Sequence, residues 1–218
     1  MRSNPQMPDT NFPSTLFQAI QRSDIEQVKS IYSEEGGKEI NAVFDENGDT
    51  PLIRAACRGE ATICEFLIST WRASPHAASR IGRTALMELI RTRSEKWPAK
   101  LAAHFASSVN AQDYSGKTAL MFAAKGAGVV GSRRGNLTII RQLMEFGANV
   151  SLRNNRGVTA LGVAQTENND SPSLANQPVI DFLKRTAIEQ RALTELHRNN
   201  HCTFDANGEL ILQPKPAQ

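Results

Sequence analysis

The chain has 218 residues, 40% hydrophobic and 22% charged, a make-up that fits a folded globular protein and excludes a disordered or fibrous one. No apolar run reaches the roughly 20 residues that span a bilayer. The formal net charge of +3 is too small to imply nucleic acid by itself.

From the N-terminus, residues 1–13 read as a flexible segment. Met1 to Thr15 is polar and proline-dotted and lacks the apolar stretch of a secretory signal, so a cytoplasmic location is expected. Cys57, Cys64 and Cys202 form an odd set without a regular framework, which suits free thiols in a reducing compartment. Leu16, Ala19, Ile20, Ile25, Val28 and Ile31 then predict a first helical pair. After it one pentad, Gly-x-Thr-(Pro/Ala)-Leu, recurs four times, starting at Gly48, Gly82, Gly116 and Gly157, at spacings of 34, 34 and 41 residues. That recurrence is the signature of a repeat architecture.

The residue types explain the recurrence. The glycine supplies the positive φ of a tight turn. Thr50, Thr84, Thr118 and Thr159, two residues on, cap a helix. Pro51 is preset for the first helical position. Leucine and the small pairs Ala55-Ala56 and Ala123-Ala124 follow as an apolar stripe. A second apolar helix closes each unit: Ile63, Cys64, Phe66, Leu67 and Ile68 in one, Ile139, Ile140, Leu143 and Met144 in another, the latter ended by Gly147. One such hairpin cannot bury its own apolar face, whereas stacked neighbours can. Each buried pentad leucine is expected to contribute about 1.5–3 kcal/mol.

Val179 to Leu183 resumes the last second helix, which runs on through Ala192, Leu193 and Leu196 as a C-terminal cap. Two inserted loops, near 126–134 and 165–176, interrupt the period. Ala206-Asn207-Gly208-Glu209 reads as a hairpin turn in a C-terminal tail, 199–218.

With Asp45 to Gly59 and Asp113 to Ala124, completed by Leu143 to Val150, the chain resembles the ankyrin repeat family over residues 14–198, in about five units including both caps. The resemblance implies an all-α solenoid of stacked helix-turn-helix repeats with short β-turn or hairpin fingers. The family's histidine after the leucine is replaced by Ile53, Met87, Met121 and Gly162, so apolar packing is expected in its place. Leu89-Ile90 stand where the family has paired alanines and predict a wider packing angle for that unit.

Several patterns that carry chemistry elsewhere read as structure here. Gly126-Ala127-Gly128-Val129-Val130-Gly131 spells a dinucleotide fingerprint, but it follows a helix rather than a strand, so it reads as an inserted loop. His197, His201 and Cys202 have metal-like spacing without a fourth ligand, and Asn199-Asn200 interrupt the helix that would present them. Ser132-Arg133-Arg134 reads as a solvated loop, His76 and His104 as ordinary surface or packing residues, and Cys57 as an ordinary thiol. No nucleophile–base pair and no split carboxylate pair is evident, so no catalytic residue, metal or cofactor is expected.

The resemblance places partners on the turn tips and the concave inner face. The basic residues there are Arg22, Arg54, Arg58, Arg80, Arg83, Arg91, Lys117, Lys125 and Arg156, against acidic Glu46, Asp49 and Glu88. Met87, Met121 and Phe146 read as core, whereas Phe122 faces the groove in the family and, with Tyr114, is expected to be an aromatic anchor. The function expected is a monomeric, non-catalytic protein-interaction module (adaptor, inhibitor or regulator) whose basic groove takes a partner with an acidic surface. Nucleic acid or another polyanion ranks below protein, because few aromatics lie along the strip. A further alternative, from likeness to compact bacterial chains of this type, is an effector delivered to a host cell that acts by binding a host protein.

Overall fold

The computed structural model describes residues 12–35, 39–92, 99–125, 136–169, 177–204 and 210–214, the last ten of 177–204 and all of 210–214 by their backbone. The loop at 126–134 with its glycine-rich and Ser132-Arg133-Arg134 segments, and the turn Ala206 to Glu209, lie outside these residues. So do the side chains of His197, His201 and Cys202.

Helices come in pairs. They are α1 (Phe12–Gln21) and α2 (Ile25–Glu35), α3 (Pro51–Cys57) and α4 (Ala61–Ser69), α5 (Ala85–Arg91) and α6 (Ala99–His104), α7 (Ala119–Lys125) and α8 (Leu137–Glu145), and α9 (Ala160–Asn169) and α10 (Gln177–Asn199). The first members, α1, α3, α5, α7 and α9, contact one another in order and form an inner layer. Helices α2, α4, α6 and α8 do the same behind them. This is the expected solenoid: each hairpin finds in its neighbours the apolar wall it lacks alone. After α10, strands β1 (Asn200–Phe204) and β2 (Leu210–Pro214) pair antiparallel, with Phe204 opposite Leu210.

The four pentads fold as read. Gly48, Gly82, Gly116 and Gly157 have φ of 72°, 77°, 75° and 75°. The hydroxyls of Thr50, Thr84, Thr118 and Thr159 accept from the backbone N–H of Ile53, Met87, Met121 and Gly162 at 3.3, 3.5, 3.3 and 3.3 Å. Leu52, Leu86 and Leu120 are buried, as are Ile53, Met87 and Met121 in place of the family's histidine, and Leu89-Ile90. Leu161 is only half-buried. Its helix closes the inner layer, so no further inner helix covers it.

The caps are held by specific contacts. Tyr32 packs edge-on against Phe66 and Trp71, with ring centroids 5.6 and 5.2 Å apart, and Phe12 lies 5.9 Å from Trp71, which fastens the first pair to α4 and its exit. At the other end, Gln190 of α10 accepts from Val150 N–H (3.2 Å) and donates to Ala148 C=O (3.1 Å).

Two boundaries differ from the sequence reading. Helix α1 starts at Phe12, because Pro13 is tolerated in a first turn whose N–H groups have no helical partner anyway. Helix α9 runs to Asn169, four residues beyond the start of the loop expected at 165–176. Nothing from Val163 to Asn169 is a glycine or proline, whereas Pro172 disfavours helix in the residue before it.

Candidate functional site

The fingers are built by a residue the pentad omits. Three positions before each glycine stand Asp45, Ser79, Asp113 and Asn154, each with a short side-chain oxygen. Asp45 Oδ1 accepts from the N–H of Asn47 and Asp49 at 2.8 and 2.9 Å, and Asp113 Oδ1 from those of Ser115 and Lys117 at 2.9 and 2.8 Å. Asn154 Oδ1 does the same for Arg156 and Val158, and Ser79 Oγ, at longer distances, for Ile81 and Arg83. A side-chain oxygen thus satisfies the turn's own amides. Successive fingers are then tied together: Tyr114 N–H donates to Ile81 C=O (3.1 Å), and Asn155 N–H to Ser115 C=O (3.0 Å).

The same arrangement brings the next finger onto the glycine. A Cβ on Gly82 would come within 2.5 Å of the Tyr114 ring, and one on Gly116 within 2.7 Å of Asn155 N. Arg80 lies likewise against Gly48. The residue two before each glycine therefore lies across the glycine of the preceding unit, and Arg80, Tyr114 and Asn155 form a row along the finger edge.

Beside that row the inner face carries an ion network. Arg54 pairs with Asp45 and lies 3.5 Å from Asp49. Glu88, only 4% exposed, accepts from Arg83 Nη1 at 3.2 Å and from Arg91 Nε at 2.6 Å. Arg83 Nε is also 3.8 Å from Asp113 of the next finger, and its guanidinium carbon sits 5.4 Å from the Phe122 ring centroid. Burial, then the Glu88 carboxylate, raises Asp49 above the usual aspartate value. Burial first, then Glu88 and Asp49, pushes the Cys57 thiol up to about 12, so this thiol is protonated and unreactive at neutral pH. Cys64 is buried and shifted in the same direction, chiefly by burial.

These contacts divide the sequence-predicted residues. Arg54, Arg83 and Arg91 are engaged by carboxylates, Arg83 also reaching Asp113 of the next unit, so the inner face is not a continuous strip of free positive charge. Of the acids that engage Arg54 and Arg83, Asp49 and Glu88 belong to the expected set, whereas Asp45 and Asp113 stand three positions before the finger glycines. Phe122 is a second correction. It is 8% exposed, beneath Arg83 and with Lys117 Nζ 6.0 Å from its centroid, because two long cations fold over its face. Tyr114, in contrast, is 73% exposed at the tip of its finger. Arg58, Arg80, Lys117 and Arg156 carry no carboxylate partner among the described residues. Lys125 is exposed at the end of α7.

Elsewhere, His76 Nε2 lies 3.0 Å from Ser107 Oγ in an exposed contact. Among the described residues, no group of three or more His, Cys, Asp and Glu is placed to hold a metal ion. No helix among them is long and apolar enough to cross a membrane.

Two family models match this chain: ankyrin repeats in three copies over residues 16–97, and an ankyrin repeat over residues 115–155. The matched stretches hold the first three fingers and the helices stacked on them. Ankyrin repeats are in general protein–protein interaction modules. With the recurrent pentads, capping threonines and layered helix pairs, these matches place the chain in the ankyrin repeat family.

Proposed function

We propose that this chain works by binding an acidic surface of another protein along the edge of its second, third and fourth fingers and the adjoining inner helices. Arg58, Arg80, Lys117, Lys125 and Arg156 supply the positive field and Tyr114 the aromatic anchor. Arg54, Arg83 and Arg91 act differently: paired with carboxylates they stiffen the surface, and Arg83 lies over Phe122. The module acts by occupying its partner and carries out no chemistry of its own.

The observation behind this reading is the coincidence, on one edge, of Arg80, Lys117 and Arg156 without carboxylate partners and a tyrosine that is 73% exposed. Tyrosine and arginine are enriched at protein interfaces, and cations without carboxylate partners on their own chain complement an acidic surface opposite.

Charge reversal tests it. The triple variant Arg80→Glu, Lys117→Glu, Arg156→Glu is expected to lose capture of partner protein in a pull-down by about tenfold or more, with its helical circular dichroism retained. Reversal of Lys184, exposed on α10, is expected to leave capture unchanged. Full capture by the triple variant would remove the finger edge as the interface.

A further inference from the structure

Between the tips of the third and fourth fingers lies a cleft of about 350 Å³, lined by Tyr114, Ser115, Lys117, Asn154, Asn155 and Arg156. Its walls are fixed. Asn154 Oδ1 is engaged by the N–H groups of Arg156 and Val158, and Asn155 ties the two tips together through its own N–H and through Nδ2, which donates to Tyr114 C=O at 2.9 Å. The lining brings the Lys117 ammonium and the Arg156 guanidinium to the cleft, with the Ser115 hydroxyl and the Asn155 amide beside them. Among the described residues, no carboxylate lines the cleft. The nearest in sequence, Asp113, is buried, with one oxygen on two backbone amides and the other beside Arg83. Two unneutralised cations, a hydroxyl and an exposed phenol ring therefore surround a space the size of a small ligand site.

We infer that this cleft seats one glutamate or aspartate side chain from an acidic segment of the protein partner, its carboxylate held by Lys117 and Arg156 and the neighbouring residue lying against the Tyr114 ring. The inference rests on the finger edge being the interface and adds to it a point of recognition. A nucleic-acid strand fits less well. Base stacking along a strand needs successive aromatic platforms. Among the described residues, Tyr114 stands alone among the cations, Phe122 is covered, and the other exposed aromatic, Phe44, stands beside the acidic Asp45 and Glu46.

The test is fluorescence anisotropy on the full chain with a short fluorescein-labelled glutamate-rich peptide, the same peptide with glutamine at every glutamate, and single-stranded DNA as competitor. Wild type is expected to bind the glutamate peptide and not its glutamine counterpart. The double variant Lys117→Ala, Arg156→Ala is expected to weaken binding about tenfold, and Lys117→Gln or Arg156→Ala alone about threefold. Lys184→Ala, on α10 and away from the cleft, should leave affinity within about a factor of two. The single variants, of which Arg156→Ala alters an exposed tip, keep the test valid should the double variant lose its helical signal.

Equal losses from Lys184→Ala and from the cleft variants would mean diffuse attraction and would overturn the assignment. So would equal binding of the glutamine peptide, or DNA that binds more tightly than the peptide through the same two residues. If wild type binds no glutamate peptide, the cleft assignment fails, while the finger edge stands or falls separately on the charge-reversal pull-down.

Discussion

At the scale of single residues, the first three finger glycines serve two ends that a pentad alone does not separate. Positive φ is common to all four, but only Gly48, Gly82 and Gly116 lie beneath the next unit. Gly157, in the last finger, has nothing within 4 Å of a would-be Cβ. Gly157→Ala is therefore expected to cost about 1–2 kcal/mol, the penalty of left-handed backbone. Gly116→Ala should cost about 1–3 kcal/mol more, because its methyl would meet the backbone of Asn154 and Asn155. Urea denaturation of the two variants checks the order, and equal midpoints would contradict the stacking of fingers on glycines.

Cys57 gives a second residue-scale expectation. Its folded-state value of about 12 lies above the ordinary thiol value of 9.0. The fold thus holds the proton where the unfolded chain releases it, and the resulting stability is intact below pH 9 and lost between about 9 and 12. Site-resolved alkylation at pH 8 should leave Cys57 unmodified until the protein is unfolded. Rapid labelling of the folded chain would show the thiol to be activated instead.

Much at this scale was legible in the sequence: the threonine caps, the turn glycines and the apolar substitutes for histidine are local features. The longer-range Arg–carboxylate pairs were not. Asp45 meets Arg54 across the length of a finger, and Arg83 meets Asp113 only after two units stack, so neither pair shows as a short-range spacing. The turn oxygens at Asp45, Ser79, Asp113 and Asn154 were visible in principle, as a recurrent short polar residue three before the glycine.

At the scale of elements, amide side chains clasp one unit to the next. Asn41 accepts from Ser74 N–H and donates to Arg72 C=O, Asn110 accepts from Asn149 N–H and donates to Gly147 C=O, and Gln190 reaches back from the C-terminal cap to Ala148 and Val150. Gln190→Ala leaves two backbone groups on buried residues without these bonds and should cost about 1–3 kcal/mol. Hydrogen exchange at Val150 N–H offers the sharper readout: it should accelerate in Gln190→Ala, and unchanged protection would show the clasp to be incidental. The cap itself was readable from the apolar positions of α10. Its clasp was not, since a glutamine on an exposed helix gives no sign of which loop it will meet.

For the whole molecule, charge is arranged along the stack rather than spread evenly over one face. The first finger is acidic, with Asp45 and Asp49 sharing Arg54 and Glu46 beside them, whereas Lys117 and Arg156 stand unneutralised on the third and fourth. A cleft of about 420 Å³ against the first finger, lined by Phe17, Phe44 and Glu46 among others, has a character opposite to the cationic cleft at the other end. A partner with charge on one flank would thus dock in one orientation, since a reversed pose sets acid against acid. Composition gives only the net value of +3, and the ordering emerges once the paired arginines are set aside.

The central claim, that partner protein is bound along the finger edge, is tested most directly by hydrogen–deuterium exchange of the chain alone and in complex with a captured partner. The account predicts new protection at residues 79–84, 113–118 and 154–159, with α2, α4 and α8 on the opposite layer unchanged. Protection confined to those outer helices, with the fingers exchanging as freely as before, would contradict it.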